Sequence, residues 1–159
     1  MKKIFLLAIS VVFALAAYSQ TNIDELKYLQ SMYGMDKKQF IAERMQITKA
    51  DSAKFWSAYD EYELFRSEIA DKRAGNVQQY SENYSTLTVA QTDALLKTTF
   101  EINNEFTKLL QRTYKTMSKD VSAIKAGQFV YLEMYVEAMG RLRLAELIPH
   151  IGQVPELKK

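Results

Sequence analysis

Apolar residues recur at helical intervals over most of this chain. Phe55, Tyr59, Tyr62, Phe65 (or Arg66 beside it) and Ile69 form a stripe with a three-to-four residue repeat, and Trp56 flanks it. Asp60, Glu61, Glu63, Glu68 and Asp71 fall on the other faces, so the pattern predicts a long amphipathic helix. Gly75 and Asn76 predict a bend or an interruption, after which Val77, Tyr80 and Tyr84 resume the face. A third helix is predicted from Leu95, Leu96, Phe100, Ile102, Phe106, Leu109, Leu110 and Met117, which leave both of its faces partly apolar. The polar run Ser118–Ser122 predicts a turn, with Ser122 as a cap. Phe129, Leu132, Val136, Met139, Leu142, Leu144, Leu147 and Ile148 mark a last long helix. Pro149 disfavours helical geometry at Ile148, so that helix ends there.

Shorter elements precede these. Ile23, Leu26, Leu29 and Met32 predict a first helix, ended by Gly34. Asp36 is placed to cap a second short segment carrying Phe40, Ile41 and Met45. Two stretches then punctuate the chain in the same way. In ITKAD, Thr48 is an N-cap and Asp51 sits at N3, where its charge suits the helix dipole. In LTVAQ, Leu87 precedes Thr88 as N-cap, and Gln91 at N3 completes a capping box. The two threonines lie 40 residues apart, a weak internal duplication and too few copies for a solenoid. No stretch reads as a strand. Long helices joined by brief turns predict an all-α fold of antiparallel helices, either a bent hairpin or a small bundle.

The N-terminus reads differently from the rest. Lys2 and Lys3, the apolar run Ile4–Ala17, and small Ala17 and Ser19 before Gln20 have the form of a secretory signal peptide over residues 1–19. An uncleaved anchor is the competing reading. Cleavage leaves a helical domain over 20–149 and a tail over 150–159, with 19 Lys and Arg against 19 Asp and Glu. That balance, together with export, disfavours a nucleic-acid binder. Among 159 residues there are only 5 Gly and 2 Pro, in keeping with helices.

Catalytic equipment is sparse. The absence of cysteine removes disulfides, thiol catalysis and cysteine metal sites. His150 is the single histidine, so the paired Glu-x-x-His motifs of a di-iron bundle cannot be assembled. Glu101 with Glu105, and Glu133 with Glu137, are carboxylates one helical turn apart. Such pairs can hold a divalent cation weakly, but the expected role is a solvated acidic face. The chain is therefore expected not to be an enzyme and to need no cofactor and no resident metal.

LTVAQ at Leu87–Gln91 matches the LTxxQ motif of the Spy/CpxP group of periplasmic proteins, and ITKAD at Ile47–Asp51 resembles a degenerate second copy. KFWSAYDEYELFRSEI resembles the aromatic helix that follows the first motif in that group, and RLAELIP resembles its C-terminal end. The resemblance spans roughly residues 36 to 149. It implies an exported, periplasmic, helical homodimer that acts as an ATP-independent chaperone for unfolded envelope proteins. It implies, as alternatives, a regulatory partner of an envelope-stress sensor or an envelope metal-binding protein. On the chaperone reading, Lys108, Arg112, Tyr114, Lys115 and Met117 are the candidate client contacts. Thr48, Asp51, Leu87, Thr88 and Gln91 are the structural motif. No nucleic acid, and no stable membrane insertion after signal cleavage, is expected.

Overall fold

A computed structural model describes residues 36–148. Its elements are α1 (Lys37–Met45), α2 (Lys49–Asn83), α3 (Val89–Asp120) and α4 (Ala123–Leu147), and no strand occurs among the described residues. The all-α expectation holds. The expected helix around Ile23–Met32, the signal peptide and His150 lie outside the described residues.

Each helix begins at a side-chain cap that the sequence announces. Gln39 N–H donates to Asp36 Oδ1 at 2.7 Å, and Asp51 N–H donates to Thr48 Oγ1 at 3.2 Å. At α3 the capping box is complete. Gln91 N–H donates to Thr88 Oγ1 at 3.3 Å, while Thr88 N–H donates to Gln91 Oε1 at 2.9 Å. Lys125 N–H donates to Ser122 Oγ at 3.2 Å at the start of α4. These bonds satisfy amide groups that the first helical turn leaves without intrahelical partners. α4 gives way to extended backbone at Ile148, as Pro149 requires.

One expected interruption does not occur, and one expected turn is shorter than the polar run that predicts it. α2 runs without interruption through Gly75 and Asn76. Glycine in a helix costs roughly 1 kcal/mol against alanine, and here cross-helix bonds hold the segment. Asn76 Nδ2 donates to Thr99 Oγ1 at 2.9 Å and to the Leu95 carbonyl at 3.3 Å, tying α2 to α3. The polar run Ser118–Ser122 is also mostly helical. α3 continues to Asp120, and the turn is confined to Val121 and Ser122.

α2 and α3 form a long antiparallel hairpin. Its register is fixed by Arg112 with Glu61, Lys72 with Glu105, and Asn76 with Thr99. α4 folds back along α3 after the two-residue turn, and α1 lies antiparallel across α2 and α4. The core sits where all four helices meet. Phe129 of α4 is its hub, with edge-on contacts to Phe55, Tyr59 and Tyr62 at 5.9, 6.0 and 5.2 Å between ring centres. Ile41 and Met45 of α1, Leu109, Leu110 and Met117 of α3, and Val136 of α4 are buried around it. Beyond Ala70 on α2 and before Ile102 on α3 no residue is buried. The hairpin thins there into an exposed end bearing Tyr84, Val89, Leu96 and Phe100.

Candidate functional site

Two features stand out from an ordinary helical bundle, and both belong to α4. The first is charge on the inside. Glu133, 1 % exposed, and Glu137, 8 % exposed, point into the protein. The expectation of a solvated acidic face is wrong for this pair. The faces that i,i+4 spacing puts together are here turned towards α1 and α2. Lys37 is 4 % exposed and places its Nζ 2.7 Å from Glu133 Oε2 and 2.6 Å from Glu63 Oε1. Tyr62 Oη donates to the same Glu133 oxygen at 2.8 Å. Arg66 Nε donates to both Glu63 oxygens, at 3.1 and 3.3 Å. One turn further along α4, Arg73 pairs with Glu137 at 2.6 Å. A carboxylate this deep requires such partners, because burial of an unpaired charge costs several kcal/mol.

The network also fixes the state of the tyrosines. Burial, and then the Glu133 carboxylate that it hydrogen-bonds, push the Tyr62 phenol far above its ordinary range. Tyr59 is pushed up too, chiefly by burial and then by Glu63. Both therefore stay protonated and neutral. Glu133 Oε1 is buried and accepts no hydrogen bond within the protein.

The second feature is apolar surface on the outside. Ile124 and Tyr131 are both 76 % exposed, and Met134, Tyr135 and Leu142 are also well exposed. Beside them, between α3 and α4, runs an open groove of about 680 Å³. Phe106, Leu110 and Tyr114 of α3 and Val130, Met134 and Ala138 of α4 give it an apolar lining, with Glu137 and Arg141 at its edge. α4 thus carries two carboxylates on its buried side, beside Ala126, Phe129 and Val136, and large apolar side chains on its exposed side.

The five sequence-predicted contacts do not form one patch. At 100° per residue, Lys108, Arg112 and Lys115 share a stripe of α3. Lys108 and Arg112 line a shallow cleft towards α2 with Phe65 and Ile69. Arg112 lies 4.2 Å over the Phe65 ring and pairs with Glu61 at 3.0 Å, while Lys115 is exposed. Tyr114 is on a different side and lines the α3/α4 groove. Met117 is a core residue with no exposure, so it offers nothing to a client. Six residues from Lys108 to Tyr114, and nine to Met117, turn those side chains away from the basic stripe. Thr48, Asp51, Thr88 and Gln91 are caps, as expected, and half-buried Leu87 precedes the second of them.

The groove was missed at the sequence level, although part of its signal was present. Val130, Met134, Glu137, Ala138 and Arg141 recur at helical spacing, but only the fold shows which stripe of α4 stays uncovered. Among the described residues no group of three or more His, Asp or Glu side chains could hold a metal ion. No helix among them is long and apolar enough to cross a membrane. No protein-family model, no curated protein and no solved structure matches the chain.

Proposed function

We propose that the protein holds unfolded or misfolded envelope proteins after export to the periplasm, without ATP, and so limits their aggregation. One observation carries the reading: the apolar α3/α4 groove, with Tyr114 and Met134 exposed along it. Soluble proteins seldom leave contiguous apolar surface of this kind open unless it binds something. Methionine is flexible and tyrosine amphipathic, so both suit contacts with many sequences rather than one. The exposed Lys108, Arg112 and Lys115 stripe adds long-range attraction for acidic segments, a contribution that salt weakens. The resemblance of LTVAQ and ITKAD to the Spy/CpxP motifs points the same way.

The test is light scattering of two unrelated unfolding proteins, with the purified protein at near-equimolar ratio and no nucleotide. Suppression of both is expected. Tyr114→Ser with Met134→Ser is expected to remove most of it, with helicity by circular dichroism unchanged. Failure of the native protein to protect either client refutes the proposal. Saturable binding to one folded sensor domain would then favour the regulatory partner.

A further inference from the structure

The α3/α4 groove is regular along its length and charged at one end. Phe106, Leu110 and Tyr114 recur every four residues on α3, and Val130, Met134 and Ala138 do the same on α4. The two helices run antiparallel from the turn at Val121 and Ser122, so these residues lie level in three rungs: Tyr114 with Val130, Leu110 with Met134, and Phe106 with Ala138. Phe106 and Leu110 are buried and form the floor, while Tyr114, Met134 and Ala138 are exposed and form the rims. The result is a straight apolar slot. Arg141 stands at its Phe106–Ala138 end, exposed, and pairs with no acid among the described residues. Glu137, the other charged residue of the lining, is held by Arg73 at 2.6 Å. Arg141 therefore gives that end an uncompensated positive charge, and the Tyr114–Val130 end has none.

We propose that the slot binds one straight-chain fatty acid, with its carboxylate on Arg141 and its methyl end between Tyr114 and Val130. The length of the slot sets the length of the chain. Val130 and Arg141 are eleven residues apart on α4, or ~16 Å at 1.5 Å per residue. Carbon–carbon bonds of ~1.5 Å advance an extended alkyl chain by ~1.25 Å per carbon, so ~12–14 carbons span that distance. Helical side chains lean towards the helix N-terminus, which carries the Arg141 guanidinium back over the slot rather than away from it.

The chemistry of the two ends selects this ligand. An alkyl chain brings no polar group that would need a partner on a floor of Phe106 and Leu110. A carboxylate does need one, and a guanidinium offers it two parallel charge-assisted hydrogen bonds. The volume of about 680 Å³ falls in the range of small-molecule sites. The inference rests, like client holding, on the groove being open to ligands, and it goes further by naming a ligand class that both ends of the groove recognise. Its readouts contain no client, so a failure to bind fatty acid and a failure to protect clients are separate results.

The test is calorimetric titration of the purified protein with sodium laurate below its micelle concentration. Saturable one-to-one binding is expected at ~10 μM, with helicity by circular dichroism unchanged. Decanoate, two methylenes shorter, is expected to bind about tenfold more weakly. Arg141→Gln is expected to weaken laurate about tenfold and to leave dodecyl maltoside, which has the same tail and a neutral head, unaffected. Met134→Glu puts a charge on the wall of the slot and is expected to weaken both ligands at least about tenfold. No saturable binding of laurate overturns the proposal, and so does laurate binding that Arg141→Gln or Met134→Glu leaves unchanged. Dodecyl maltoside binding to the native protein as tightly as laurate also overturns it, and gives the groove to apolar tails whatever their head.

Discussion

Replacing Lys37 by Met tests whether the charged interior of α4 is held by α1. In the native protein the Lys37 ammonium serves two carboxylates, Glu133 at 2.7 Å and Glu63 at 2.6 Å. Glu63 is a quarter exposed and keeps Arg66, so it loses little. Glu133 is 1 % exposed and keeps only the Tyr62 hydroxyl. The substitution keeps an unbranched apolar side chain one atom shorter than the original, so the dominant change is an uncompensated buried carboxylate. Breaking a buried pair from one side costs about 3–5 kcal/mol. Against a total stability of about 5–15 kcal/mol, that is a large fraction. Urea unfolding followed by circular dichroism, with the single tryptophan Trp56 as a second probe, reads the change as a lower midpoint at constant slope. Adding Glu133→Gln to Lys37→Met removes the orphaned charge while keeping a partner for Tyr62. The double variant is expected to recover most of the loss. A loss below about 1 kcal/mol for Lys37→Met, or no recovery in the double variant, refutes the argument that burial makes this pair costly to break.

Three further outcomes follow from the same geometry. Tyr62 and Tyr59 are held protonated above their ordinary value of 10.0 in the folded state, so the folded protein retains protons that the unfolded chain releases. Their contribution is fully present below pH ~10 and is lost as pH rises beyond it, by about 1.4 kcal/mol per pH unit for each tyrosine. Tyr62→Phe is expected to reduce that alkaline slope by one such share, measured by urea unfolding between pH 9.5 and 11, and an unchanged slope excludes Tyr62 as its source. Thr88→Ala removes the capping box of α3 and is expected to cost about 0.5–2 kcal/mol, whereas Thr88→Ser stays close to the native value in the same assay. Met117→Ala is expected to cost about 2–5 kcal/mol in thermal unfolding as a core truncation, while Lys115→Ser changes stability by less than about 0.5 kcal/mol.

What the sequence made legible was local. The caps at Asp36, Thr48, Thr88 and Ser122 depend on residues three positions apart, and all four form as read. The buried α2 stripe of Phe55, Tyr59, Tyr62 and Ile69 depends on a repeat within one helix and was equally plain. Gly75 misled because propensity is a weak term beside the Asn76 bonds to α3, whose acceptors lie 19 and 23 residues away. Lys108, Arg112, Tyr114, Lys115 and Met117 are neighbours in sequence but not on the helix surface. A helix separates such residues by 100° at each step, which is why Tyr114 and Met117 part from the basic stripe.

The helix α4 itself and its buried Phe129 and Val136 match the sequence pattern, but the reading of its Glu133 and Glu137 pair failed for a more informative reason. Glu133 and Glu137 one turn apart have the signature of a wet face, while Ala126, Phe129 and Val136 mark the buried side that hydrophobicity would choose. The partners that make the opposite outcome possible are Lys37, 96 positions away, and Arg73 on α2. Neither is visible from α4 itself. Once those cations neutralise the inner carboxylates, α4 can turn Ile124, Tyr131, Tyr135 and Leu142 outwards without leaving a charge stranded. If stability alone had shaped the helix, apolar residues at 133 and 137 would pack inside at lower risk, since buried ion pairs contribute little net stability over apolar replacements. The arrangement instead combines a costly charged interior with exposed apolar surface. The inner carboxylates are met within the protein by Lys37 and Arg73, so it is the exposed apolar face alone that the proposed client binding would cover.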